Sequence, residues 1–162
     1  MLGNSTFSDI GGSVSDLFAA MLSTAGRLSV FSRTPVGHEP RNAPGLGLSY
    51  ALWWSRITPY PRGSGLAAVS GVVTFSGRIY KSLDSKPEND IDPDLLSATC
   101  TLMAAYAGGF TLGETVRNID LLGQSGQMLD AQPAYLEQDG KHFRIAELTM
   151  PVIIDDMWTE VP

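Results

Sequence analysis

One cysteine, two histidines and a set of closely spaced carboxylates are the residues of this chain with the most reactive chemistry to offer. Cys100 would need a histidine beside it to act as a thiolate nucleophile. It falls on the apolar side of a helical pattern, where a cysteine behaves as a small hydrophobe, so it reads as a core thiol. A metal site needs clustered ligands. His38 stands in a Pro-rich stretch, His142 follows an Asp-Gly pair, and no His-x-x-x-His or Cys-His spacing occurs. Asp155-Asp156 and the group Glu88, Asp90, Asp92 and Asp94 could hold magnesium or exchange protons. Asp92 and Asp94 are better used at a helix start, where negative charge meets the positive end of the helix dipole. Gly63-Ser64-Gly65 and Gly108-Gly109 lack the Lys-Ser/Thr and the spacing of a phosphate loop. No catalytic, cofactor-binding or metal site is therefore expected, and the chain does not read as an enzyme. Trp53-Trp54 and Trp158 could stack on a base or sugar, but such aromatics more often anchor cores and interfaces.

The elements that carry these residues follow from periodicity. Ile10, Val14, Leu17, Phe18, Met21 and Leu22 form one apolar stripe of a first helix, which Gly26 is placed to stop. Residues 27–33 read as a short strand, and residues 34–47, rich in Pro and Gly, as a loop. Residues 48–58 return to strand character with aromatics on both faces; Pro59 and Pro61 should end that strand. Residues 67–80 alternate Val69, Val73, Phe75 and Ile79 with Ser70, Thr74, Ser76 and Arg78, the pattern of a sheet with one face on a core. The stretch 82–91 reads as polar and exposed. A second helix should start with Asp92 as N-cap and Pro93 at the first helical position. Its buried stripe should be Leu95, Leu96, Thr99, Leu102, Met103 and Tyr106, and Gly108-Gly109 should close it. Residues 115–122 read as a strand. Residues 134–138 and 141–149 flank Asp139-Gly140, a two-residue hairpin signal. Pro151 should turn the second arm into an edge, a bulge or a new direction. The order implies an α+β domain, mainly antiparallel, with two principal helices packed on one face of the sheet.

The bulk properties narrow the function classes. At 162 residues one domain is expected, spanning 1–162. Hydrophobic residues make up 43% and charged residues 17%, against a usual charged share of about 25%. A sparsely charged surface suits a protein that packs against copies of itself or partners. The net charge of −6 and the absence of a basic stripe argue against static nucleic-acid binding. The single cysteine fits a reducing compartment. Neither a signal peptide nor a membrane-spanning run is expected, so the protein reads as soluble and cytoplasmic in origin, with no membrane partner.

Several segments carry a resemblance. They begin with His38-Glu39-Pro40-Arg41-Asn42-Ala43-Pro44-Gly45, Ser64-Gly65-Leu66-Ala67 and Arg78-Ile79-Tyr80. They continue with Asp90-Ile91-Asp92-Pro93-Asp94-Leu95-Leu96, Leu102-Met103-Ala104-Ala105-Tyr106 and Val116-Arg117-Asn118-Ile119-Asp120-Leu121-Leu122-Gly123. The last are Tyr135-Leu136-Glu137-Gln138-Asp139-Gly140-Lys141 and Pro151-Val152-Ile153-Ile154-Asp155-Asp156-Met157-Trp158. In this order they resemble the tail-terminator proteins of siphophages that infect actinobacteria, and they span most of the chain. The first thirty or so residues match only as an amphipathic helix.

The resemblance implies a virion protein of the phage neck. Such a protein forms a hexameric ring on the head-proximal end of the tail tube, stops tube growth, and meets the head–tail connector or stopper. Double-stranded DNA passes through the bore without specific binding. The expected partners are other copies of the chain, the major tail tube protein and the connector, with no cofactor. Candidate contact residues are Tyr50, Trp53 and Trp54 in the aromatic strand, Arg41 and Arg62 in the loops, and Lys86, Glu88 and Asp90 before the second helix. At least two of the loops 34–47, 59–66 and 83–91 are expected to contact a neighbouring subunit, the tube or the connector. A net negative lumen, drawing on acids such as Asp84, Glu88, Asp90, Glu114, Asp120, Asp130, Asp155 and Asp156, would let DNA slide. Two other readings fit the same sequence: a head–tail connector or stopper, and a small α+β ligand-binding or enzyme domain.

Overall fold

The computed structural model describes residues 6–9, 11–61, 68–108, 118–119, 123 and 126–161. Their order is β1 (Thr6–Asp9), α1 (Gly11–Gly26), β2 (Ser49–Tyr60), β3 (Ala68–Ser82), α2 (Ile91–Gly108), β4 (Asn118–Ile119), β5 (Asp130–Gln138) and β6 (Lys141–Val161). The fold is α+β: the strands form one antiparallel sheet, and both helices pack on one of its faces.

β6 is the axis of the sheet. It pairs with β3 along one side and, in succession, with β5, β4 and β1 along the other; β2 then pairs with β3. The alternation seen in the sequence places side chains as a pleat must. Val73, Phe75 and Ile79 of β3, with Ala146, Leu148, Met150, Val152 and Ile154 of β6, face the helices. Leu17, Met21 and Ala25 of α1 and Leu95, Leu102 and Tyr106 of α2 close over them. On the opposite face a smaller cluster joins Ala51, Tyr80, Phe143 and Ile145.

The hairpin forms as the Asp-Gly pair predicts. Asp139 (φ 54°) and Gly140 (φ 71°) both take the left-handed conformation a two-residue primed turn requires. Gln138 pairs with Lys141, which fixes the register of both arms.

Several local expectations are corrected. Residues 27–33 form no strand. The chain turns off α1 through bonds from the Arg27 and Leu28 amides to the carbonyls of Ser23 and Ala25. It then meets the start of β2 only at scattered points: the Ser32 amide to Leu48, and a single bridge between Val36 and Ala51. Pro59 does not end β2, which reaches Tyr60. β2 is the terminal strand on its side, so the missing amide hydrogen of Pro59 can fall on an edge without breaking a central ladder.

Pro151 lies inside β6, buried and opposite Thr74. On the other flank of β6 the partner changes there: β5 ends against Thr149 and β4 begins against Val152, so that position has no ladder partner among the described residues. β6 bulges later, where Asp155–Met157 stand against Ser70 alone. Asp156, at φ 51°, donates its amide to Ser70 Oγ at 3.2 Å.

The second helix differs in its start and in its stripe. It begins at Ile91, directly after a 3-10 turn (Glu88–Asp90), so Asp92 is inside the first turn and not the N-cap. Its carboxylate instead accepts from Arg144 Nε at 3.0 Å. Pro93 still occupies the first turn, where no amide is needed. The inward residues are Ile91, Leu95, Ala98, Thr99, Leu102 and Tyr106. Leu96 is 66% exposed and Cys100 is exposed. These two are one helical turn apart on a ridge rotated away from the sheet, so neither belongs to the core.

The expected strand at 115–122 is present as β4, Asn118–Ile119; the rest of it lies outside the described residues.

Candidate contact surfaces

The reactive side chains are dispersed by the fold. Among the described residues no group of three His, Cys, Asp or Glu side chains could hold a metal ion. The carboxylates around the start of α2 are drawn to separate cations: Glu88 to Lys86, Asp92 to Arg144, and Asp94 to Lys81 at 3.4 Å. Lys86 and Glu88 stand in full solvent, and each holds the other in its charged form. The hydrogen bond and charge of Glu88 raise the Lys86 pKa, and those of Lys86 lower that of Glu88. Asp90 is exposed in the same 3-10 turn.

The aromatic strand divides its residues among three environments. Tyr50 is core, only 2% exposed, and is unavailable to a partner. Its hydroxyl lies 3.0 Å from that of Tyr106, which donates to the Met21 carbonyl at 3.1 Å. Since the Tyr106 proton is committed to Met21, Tyr50 donates to Tyr106. Burial raises both phenol pKa values. The neighbouring phenol and the hydrogen bond lift Tyr50 further, while the bond from Tyr50 works against the rise at Tyr106.

Trp53 is half-buried on the opposite face, where the Arg78 guanidinium sits 5.2 Å from its ring centre. Arg78 also donates to Tyr80 and Glu147, each at 3.1 Å, with Glu39 at 3.7 Å. Burial opposes the Arg78 charge, but Tyr80 and Glu147 outweigh it and leave its pKa above the ordinary value. Trp54 is 63% exposed.

The loop 34–47 packs across the start of β2. The Ala43 amide donates to Asp139 at 2.7 Å and Gln138 Nε2 donates to the Pro40 carbonyl at 2.9 Å, which ties this loop to the hairpin tip. A recess of about 670 Å³ lies under it, with Arg33, His38 and Arg41 at its rim and Ser49 and Tyr80 at its base. Arg33 lies across Gly45, where even a Cβ would meet the guanidinium. Arg41 is thus on an accessible rim, whereas Arg62 and most of the loop 59–66 lie outside the described residues. Of the proposed lumen acids, Asp84, Glu88, Asp90, Asp155 and Asp156 are exposed and Asp130 is half-buried; Glu114 and Asp120 are outside the described residues.

Two surfaces escaped the sequence reading. One is an apolar groove of about 420 Å³ between α2 and the β5–β6 hairpin, lined by Leu95, Leu96, Ala131, Pro133 and Ala146. Its charged members, Asp92 and Arg144, are paired with each other, and Thr99 donates to the Leu95 carbonyl; Gln132 completes the polar lining. The other is a cleft of about 260 Å³ where Trp54 and Ile57 of β2 lean toward Val14 and Phe18 of α1. The exposed Leu96 could have signalled the first only if the orientation of α2 were known. No helix among the described residues is long and apolar enough to cross a membrane. Neither a protein-family model nor any curated protein matches the chain.

Proposed function

We propose that this protein is a phage tail terminator, a structural component of the virion neck. The observation that carries the reading is the ordered set of segments, from His38-Glu39-Pro40 to Asp155-Asp156-Met157-Trp158, that resembles this family across most of the chain. The resemblance implies a small α+β domain, and the chain folds as one. In this role six copies form a ring on the head-proximal end of the tail tube. The ring ends polymerisation of the tube protein and offers its other surface to the connector. DNA crosses the bore without being gripped, which a chain of net charge −6 favours.

The role asks for interfaces and no reacting groups. The exposed loop before α2, the rim at Arg41 and the exposed Trp54 are the surfaces available to serve it. The test is localisation. Gold-labelled antibody against the protein should mark the head-proximal end of isolated tails, and removal of its gene should give tubes of irregular length. Label on tailless heads would identify a connector or stopper instead. Absence from purified virions would end the reading.

A further inference from the structure

The two apolar surfaces lie at opposite edges of one sheet, on the same face. The helical layer is narrower than the sheet below it. α1 and α2 cover β3 and β6, and among the described residues no helix covers the flanks: the Trp54–Ile57 cleft over β2, and the Leu96–Pro133 groove over β5. Both outer edges lack a ladder partner among the described residues, along residues 53–59 of β2 and along β5.

We infer that these flanks are the two halves of one head-to-tail contact, in which Trp54 and Ile57 of one copy seat against the Leu96–Pro133 groove of the next. The inference rests on the ring reading and names the faces that would make the ring.

Three observations support a second copy as the occupant. First, direction is compatible. β2 runs antiparallel to β3, β3 to β6 and β6 to β5, so a copy placed beside β2 without turning over brings its β5 alongside, antiparallel, with the helical face still uppermost. The open apolar flank of one then meets the open flank of the other. Second, charge is complementary. Residues 53–60 of β2 carry one charge, Arg56, whereas β5 carries Asp130 and Glu137 and no cation; none of the three is in an ion pair among the described residues. Arg56 pairs in register with Thr74 and Asp130 with Thr149, so both belong to the sheet face away from the helices and would meet there. Third, the groove is poorly suited to a small ligand. Such sites add a few unpaired, convergent polar groups to an apolar lining; here Asp92 and Arg144 are paired with each other and Thr99 donates to the Leu95 carbonyl, which leaves Gln132 as the one such group of the lining. A contact between different surfaces repeats from copy to copy and closes into a ring when its rotation closes.

The experiment uses two single-cysteine chains, Trp54→Cys and Leu96→Cys, each with Cys100→Ser to remove the native exposed thiol. Both substituted positions are exposed, and circular dichroism checks that each variant folds. Under mild oxidation at high protein concentration, the mixture should give a mixed disulfide dimer at least tenfold above either variant alone. A chain carrying both cysteines should give a ladder of multimers. Crosslinking of Trp54→Cys with itself as efficiently as in the mixture would mean a two-fold contact and would overturn the inference. A mixture that stays uncrosslinked would overturn it too. If light scattering then shows the unmodified chain as an oligomer, the ring survives on other faces; the terminator role itself is judged separately, by the label on isolated tails.

Discussion

Replacing Tyr106 with Phe should cost far more stability than replacing Tyr50, although the two hydroxyls touch. Tyr50 is the end of the chain Tyr50 → Tyr106 → Met21, so Tyr50→Phe removes one donated bond and leaves Tyr106 bound to Met21. A buried neutral hydrogen bond contributes about 1 kcal/mol net. Tyr106→Phe removes both bonds and also strands the Tyr50 hydroxyl in the core with no other hydrogen-bond partner among the described residues. An orphaned buried group adds roughly 1–3 kcal/mol, so a loss of about 3–5 kcal/mol is expected. The double replacement removes the stranded hydroxyl as well and should cost less than the sum, about 2 kcal/mol. Urea unfolding with an unchanged slope measures all three.

A pH series provides a second readout of the same pair. Both phenols have raised pKa values in the folded state, so the stability they contribute is fully present below the unfolded value of about 10 and is lost as pH rises toward the folded values. Each adds a slope of up to about 1.4 kcal/mol per pH unit above that point, which the double replacement should abolish. Equal costs for the two single replacements, or strict additivity, would refute the direction of the chain. An alkaline slope unchanged in the double variant would refute the burial argument.

Three further outcomes are expected. Cys100 should react with a thiol reagent in native buffer to one label per chain; a requirement for denaturant would contradict its exposed position on α2. Gly77→Ala should destabilise by about 1–3 kcal/mol, because the added Cβ would lie 2.8 Å from the Tyr50 hydroxyl and 2.9 Å from its ring. The same change should shrink the penalty of Tyr50→Phe, and a thermal-melt double-mutant cycle showing no such coupling would count against it. Arg78→Ala should cost about 1–3 kcal/mol, since it breaks bonds to Tyr80 and Glu147 and uncovers Trp53; melting temperatures at the wild-type value would contradict this.

Much of the fold was legible from local pattern. The stripe of α1, the alternation of β3, and Asp139-Gly140 each encode geometry within a few residues, because a helix repeats every 3.6 residues, a strand every two, and a primed turn needs positive φ. The failures share a cause. Pro59 and Pro151 are disruptive only where their missing amide hydrogen would face a partner, and that depends on which strand lies alongside. Leu96 and Cys100 looked like core because α2 is apolar around much of its surface; only contact with β3 and β6 selects the stripe through Leu95, Ala98 and Leu102.

The contact surfaces divide in the same way. Exposure of Lys86, Glu88 and Asp90 follows from a polar stretch too charged to bury. Tyr50 and Trp54 are alike in sequence and face the same side of β2, yet one is core and the other open. The helices extend over the first and stop short of the second. Residue type and spacing determined the elements and the scarcity of reactive groups. How far each helix reaches across the sheet is a long-range packing result, set by elements tens of residues apart, and it alone decided which apolar side chains were left uncovered.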